Sequence, residues 1–390
     1  MPPGALTAKS VGEDAWGGAA AGPAKACYNS CMSEKIVVAM SGGVDSSVAA
    51  ALLHEQGYDV LGITLQLWGK DVCVSAGSRL CCSVRDALDA KAVAKRLGIP
   101  HETLELTEAF RTHVIDYFVN SYRHGETPNP CIACNNHIKF GELLAYAHQQ
   151  GIELMATGHY ARSSYDATQG RWTLSRAATP DKDQSYVLFG LTQEQLGRTR
   201  FPLGELTKTQ VRDMARSLDL VTAEKPDSQD ICFVRDRDKN GFLRRELPLA
   251  EAPGQIVDGE GRELGTHHGL LGYTIGQREG LGLAVGKPLY VVAIDQPNNR
   301  LVVGDRQDLL RTTFQAERVN WVSIAPPQQP IQADAKIRSR HQAARATITP
   351  MKLSASVEFD EPQQAITPGQ AVVFYQGDLI LGGGWISADE

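Results

Sequence analysis

Residues 35–58 read KIVVAM, then SGGVDSS, then VAAALLHEQGY. Lys35 to Met40 is a short apolar run with the length and composition of a buried strand, and residues 48–56 carry apolar side chains at helical spacing up to a stop at Gly57. Between them lie two glycines, three serines and an aspartate. Strand, glycine turn and helix in that order open an α/β unit. The alternation continues along the chain. Tyr58 to Trp68 is read as a strand, Val84 to Leu97 as a helix stopped by Gly98, and Glu102 to Leu106 as a strand. Thr107 to Tyr122 and Lys139 to Gln149 are read as helices and Glu153 to Thr157 as a strand. Repeated βα units predict a parallel sheet covered on both faces.

At the turn itself, Ser41, Gly42, Gly43, Val44, Asp45, Ser46 and Ser47 put backbone N–H groups and the helix dipole in front of a common point. Two residues without Cβ let an anion come close. A phosphate suits that environment, although any strand-to-helix turn favours Gly and Ser. There is neither the lysine of a Walker loop nor the third glycine of a dinucleotide fold.

Past about residue 230 the texture changes to short β-branched runs such as PLYVVAID, NRLVVGD and QAVVFYQGDLILGGGW, cut by Gly and Pro. These predict small β modules, the last a barrel, with residues 327–333 (PQQPIQA) a polar, proline-marked loop inside it. A chain of 390 residues is too long for one core, so the division is 1–33 disordered tail, 34–232 catalytic domain, 233–304 central domain and 305–390 C-terminal β-barrel. The tail has no apolar h-region and no Arg, which argues against a secretory or organellar signal. Met32, just before the first strand, is an alternative start. With 42% hydrophobic and 22% charged residues the composition is that of a globular protein, and no apolar run reaches the roughly 20 residues of a membrane span. A net charge of −6 excludes an overall basic coat but not a local basic groove.

Eight cysteines are too sparse for a disulfide framework in a chain of this size and fit a reducing, cytoplasmic compartment. Cys131 and Cys134 form a CxxC in TPNPCIACNNHIK, and Cys232 ends DSQDIC about a hundred residues on. Zinc binding, redox exchange and plain burial all suit a lone CxxC. Sulfur transfer needs two thiols, one to carry a persulfide and one to attack it. Cys27 and Cys31 lie in the tail, and Cys73, Cys81 and Cys82 precede a helix; neither group is given a role.

The SGGVDSS loop resembles that of the PP-loop ATP pyrophosphatases, an adenine nucleotide alpha hydrolase-like fold. The resemblance implies an ATP site lined by Ala39, Met40, Ser41, Gly42, Gly43, Val44, Asp45, Ser46, Leu65 and Gly158, with Asp45 on the Mg2+ side. SGGVDSS, TPNPCIACN, ATGHYAR (156–162), KDQSYVL (182–188), FPLGELTKTQVR (201–212), DSQDICF (227–233) and TPGQAVVFYQGDLILGGG (367–384) occur in the order found in tRNA 2-thiouridylases. That similarity spans residues 35–386.

It implies ATP-dependent replacement of the C2 oxygen of the wobble uridine of tRNA by sulfur from a persulfide donor or a cysteine-desulfurase relay. Cys134 takes the place of the nucleophile and Cys232 that of the persulfide carrier. Cys134 then either attacks the persulfide to liberate sulfide or cleaves a covalent intermediate, and both routes end in a Cys134–Cys232 disulfide. Matched tRNA-binding positions are Asn129, Pro130, Cys131, His159, Lys182, Asp183, Gln184, Arg338, Ser339 and Gln370, the first three read as a proline-stiffened loop that lines the extruded base.

The chain departs from the family at two places. Cys131 stands where Asp is common, which adds a [4Fe-4S] cluster on Cys131, Cys134 and Cys232 as an alternative sulfide holder. Ser339 stands where Tyr is usual. Lys336, Arg338, Arg340, Arg345 and Lys352, against Asp334 alone, form a candidate phosphate stripe in residues 331–352. The competing readings are a small-molecule PP-loop ligase, a silent tRNA-binding protein and a CxxC oxidoreductase. The first has no need of the two cysteines, the second none of Asp45, and the third none of the loop.

Overall fold

The computed structural model describes residues 33–67, 82–227, 231–234, 238–247 and 252–388. The predicted disordered tail and Cys27, Cys31, Cys73 and Cys81 lie outside them, apart from Ser33. The first strands are β1 (Lys35–Ala39), β2 (Asp59–Gln66), β3 (His101–Glu105), β4 (Leu154–Ala156), β5 (Ala161–Asp166), β6 (Arg171–Arg176) and β7 (Thr199–Arg200). Five of them make a parallel sheet in the order β3-β2-β1-β4-β7. Ile36, Val37 and Val38 of β1 are fully buried, and cores lie on both faces. The order reverses at β1, so the crevice beyond the ends of β1 and β4 is where such a sheet receives a ligand. The glycine turn fills that position.

Strands β8 (Gly254–Val257), β9 (Glu263–His267), β10 (Tyr290–Asp295) and β11 (Arg300–Gly304) form a second, four-stranded sheet. The third contains β12 (Leu310–Asn320), β13 (Ile331–Lys336), β14 (Ala344–Pro350), β15 (Ser354–Gln364), β16 (Ala371–Gln376) and β17 (Leu379–Ile386). Pairing of β12 with β17 closes these six into a barrel around Phe314, Ile348, Phe359 and Phe374. The β5–β6 hairpin, far earlier in sequence, adds to the barrel sheet through β17. This long-range pairing leaves no local sequence signal.

Two readings need correction. Residues 129–131, read as a proline-stiffened loop, enter a helix at Pro130 that runs on to Gln149, nine residues before the expected Lys139 start. Asn129 Oδ1 accepts from Cys131 N at 3.2 Å and Ile132 N at 3.4 Å, and Pro130 occupies the first helical position. Asn and Pro serve helix starts as well as turns. The polar connection assigned to 327–333 ends at Pro330, because Ile331 already pairs with Ile348.

Candidate functional site: a nucleotide loop beside a thiol centre

Gly42 has φ +69°, and a Cβ there would collide with the Asp86 backbone, so only glycine fits. Ser46 Oγ lies 3.1 Å from Ser41 N, and Ser47 Oγ donates to Gly43 O at 2.8 Å, which fixes the turn. Gly158 follows β4 and presses on the same turn: a Cβ on it would lie 2.7 Å from Ser46 N. Met40 N donates to Ile63 O at 2.8 Å and Thr64 Oγ1 to Met40 O at 2.9 Å, so β1 and β2 end together with Leu65 beside them.

Asp45 is held by groups that the sequence reading left without a role. Lys208 Nζ lies 2.7 and 2.9 Å from its carboxylate oxygens, and Tyr160 donates at 2.7 Å. Burial and the neighbouring Asp45 carboxylate push the Tyr160 hydroxyl pKa up. Lys208 also contacts Asp227 at 2.8 Å, where Lys182 at 2.9 Å and Arg212 at 3.1 Å converge too. These cations hold the Asp227 carboxyl down at about 2, although partial burial opposes them. The available signals were FPLGELTKTQVR and its T-x-x-Q capping box, formed by Thr207 and Gln210 ahead of the Lys208–Ser217 helix.

The thiol centre is built from separate segments. Cys134 is 9% exposed and belongs to an apolar cluster with Phe110, Phe118, Ile138, Phe233 and Val234. Phe233 packs edge-on to Phe118 at 5.0 Å, which carries Cys232 into the neighbourhood of the CxxC. Cys131 and Cys232 keep exposed surface, and all three thiols are free. The protein packed around them pushes each thiol pKa up, Cys232 to about 12, the last helped by Cys134 and Cys131. Leu65 packs against this cluster as well as against the sheet core, so the nucleotide loop and the thiols share a wall. Among the described residues, no group of three His, Cys, Asp or Glu side chains is placed to hold a metal ion. The three cysteines are therefore not arranged as a cluster ligand set.

The matched tRNA positions divide between the two corners. Gln370 Nε2 donates to Thr127 O at 2.8 Å, tying the barrel to the segment that leads into Asn129, Pro130 and Cys131. Gln184 Oε1 accepts from Tyr160 N at 2.9 Å, and Asp183 caps its own turn through Ser185. His159 is buried beside Lys139. The basic stripe splits. Lys336 and Arg338 turn toward Tyr186 and are half-buried, whereas Ser339, Arg340, Arg345 and Lys352 are exposed.

Three family models match in chain order: a tRNA methyl transferase HUP domain over residues 34–236, a tRNA methyl transferase PRC-barrel domain over 240–305 and an aminomethyltransferase β-barrel domain over 311–386. The tRNA-specific 2-thiouridylase MnmA of Heliobacterium modesticaldum is 51% identical over 358 residues, 91% of this chain and 93% of that protein. The protein of the same name from Moorella thermoacetica is 51% identical over 353 residues, 90% and 99% of the two chains. A solved 4-thiouridine synthetase–RNA complex with bound ATP overlaps at 15% identity and a TM-score of 0.32 over 55% of this chain and 50% of that one, too little to argue from. With half of its residues identical to theirs along nearly the whole of both chains, the protein belongs to the tRNA-specific 2-thiouridylase MnmA family.

Proposed function

We propose that the protein uses ATP to convert the wobble uridine of tRNA to 2-thiouridine, releasing AMP and pyrophosphate. The observation that carries this reading is the approach of the Cys232 segment to Cys134 in one apolar cluster, walled by the strand that ends beside the SGG loop. Uridine C2 is a poor electrophile. Attack of its oxygen on the ATP α-phosphorus expels pyrophosphate and leaves C2 bonded to a good leaving group. The terminal sulfur of a Cys232 persulfide then adds at C2, and AMP departs. Cys134 thiolate attacks the Cys232 sulfur, which frees the thiocarbonyl and leaves a Cys134–Cys232 disulfide. An external dithiol restores both thiols, and a persulfide donor or cysteine-desulfurase relay reloads Cys232.

The residues fit that sequence. Backbone N–H groups of Ser41 to Ser46 receive the phosphates, with Ala39, Met40, Leu65 and Gly158 around the nucleotide. Asp45, a hard oxygen ligand, suits Mg2+, which when bound neutralises the departing pyrophosphate. Lys208 then gives up Asp45 and turns its charge to the phosphates. Asn129, Pro130 and Cys131 line the position of the extruded base, which must leave its stack to expose C2. Lys182, Arg338, Ser339 and Gln370 complete the tRNA-facing set, with Asp183, Gln184 and the buried His159 shaping it from behind. A reducing cytoplasm suits three free thiols.

The test is incubation with ATP, Mg2+, a sulfide source and unmodified tRNA, followed by mass spectrometry of wobble nucleosides. 2-Thiouridine is the expected product. Its absence, with tRNA bound and ATP present, would overturn the reading.

A further inference from the structure

Lys139 pairs with no carboxylate among the described residues, and its charge acts on all three thiols. It follows Cys134 by five positions. On an α-helix of 3.6 residues per turn that would carry it about 140° round the axis. From Cys134 to Glu142, however, the helix is π-wound, and Leu143 N bonds Ile138 O five residues back. The wider turn swings Lys139 back toward the face of Cys134, and π segments of this kind gather at functional sites. A second contact fixes the ammonium: Nζ lies 3.4 Å from His159 Nε2. An ammonium only donates, so Nε2 accepts, and Nδ1–H donates to Thr157 Oγ1 at 2.7 Å. His159 is thus a neutral, buried anchor whose pKa both burial and Lys139 hold well below its ordinary value.

We propose that Lys139 is the positioning cation of the thiol centre, held by His159 so as to stabilise the anionic sulfur that forms at Cys134 and Cys232 as sulfur is handed on. This deepens the functional reading above and rests on it for the sulfur exchange. A partly buried ammonium without a counter-charge is costly, and an arriving sulfur anion removes the cost. The electrostatics agree: packing disfavours the charged form of all three thiols, and Lys139 favours it at each.

The experiment compares wild type, Lys139→Met and Lys139→Arg, using the full chain and confirming folding by thermal melting. Iodoacetamide alkylation of Cys134 at one fixed pH is followed by peptide mass spectrometry, without nucleotide or tRNA. Methionine keeps the length and removes the charge, so the rate should fall about tenfold, and arginine should restore most of it. In the thiolation assay Lys139→Met should lose kcat while the KM for tRNA stays unchanged. Equal alkylation in wild type and Lys139→Met would overturn the proposal, as would a loss that arginine does not recover. Because alkylation needs no substrate, either result leaves the functional reading standing. Failure of the wild type to make 2-thiouridine would undo that reading alone.

Discussion

At the nucleotide corner two carboxylates, Asp45 and Asp227, sit among Lys182, Lys208, Arg212 and the Tyr160 hydroxyl. At the thiol corner Cys134 lies among phenylalanines, Cys131 and Cys232 stand close by, and the three share one lysine. The first is a dense ion network, three cations against two carboxylates, that an incoming nucleotide would have to open. The second is short of charge, which protects thiols from idle chemistry and leaves them poor nucleophiles until an anion is stabilised. The difference teaches that, on the proposed reading, nucleotide binding exchanges existing partners, whereas sulfur transfer creates charge where little is provided for it.

The contrast is most severely tested by Cys134→Ser and Cys232→Ser. Each should lower thiolation by at least about 10³-fold, with tRNA affinity retained in a filter-binding assay. Wild-type turnover in either would remove the thiol corner from the chemistry. At the other corner Asp45→Ala should slow tRNA-dependent pyrophosphate release by roughly 10²- to 10³-fold without unfolding the domain. Lys208→Ala should act less strongly, about 10- to 100-fold, and mainly through the KM for ATP, as expected of a cation that changes partners.

The smallest effect is on stability. The Asp227 carboxyl titrates near 2 in the folded chain, below its ordinary 3.8. Its contribution is therefore complete above about pH 4 and is lost as pH falls through about 2. Asp227→Asn should cost about 1 kcal/mol at pH 7 after allowance for solvent screening, with the cost shrinking toward pH 2 in urea titrations. A pH-independent cost would show that the ion network does not stabilise the fold.

The two corners were also unequally legible. SGGVDSS lies on one strand-turn-helix unit, so the turn and its strand follow from local chemistry and the parallel sheet from the alternation around it, whereas Gly158 came only through the family resemblance. Lys208 was within reach, since Thr207 and Gln210 announce a helix start that places it in the first turn. The thiol corner depends on contacts that no short window contains. Phe233 meets Phe118 across more than a hundred residues, Gln370 fastens the barrel to Thr127, and Lys139 reaches the thiol face through π winding. Asn129 and Pro130 misled because one pair of residues serves both a turn and a capped helix. The hydrogen bonds of Asn129 to Cys131 and Ile132 decide between them.

The central claim is that Cys134 and Cys232 work at one place, and it is tested most directly by oxidising the Cys131→Ser chain mildly with diamide and mapping its peptides without reduction. A disulfide needs Cα atoms within about 7 Å, so only cysteines that truly meet will pair within one molecule. The account predicts an intramolecular Cys134–Cys232 bond, lost on adding dithiol together with a return of thiolation activity. Both cysteines remaining free, or bonding only between molecules, would contradict it.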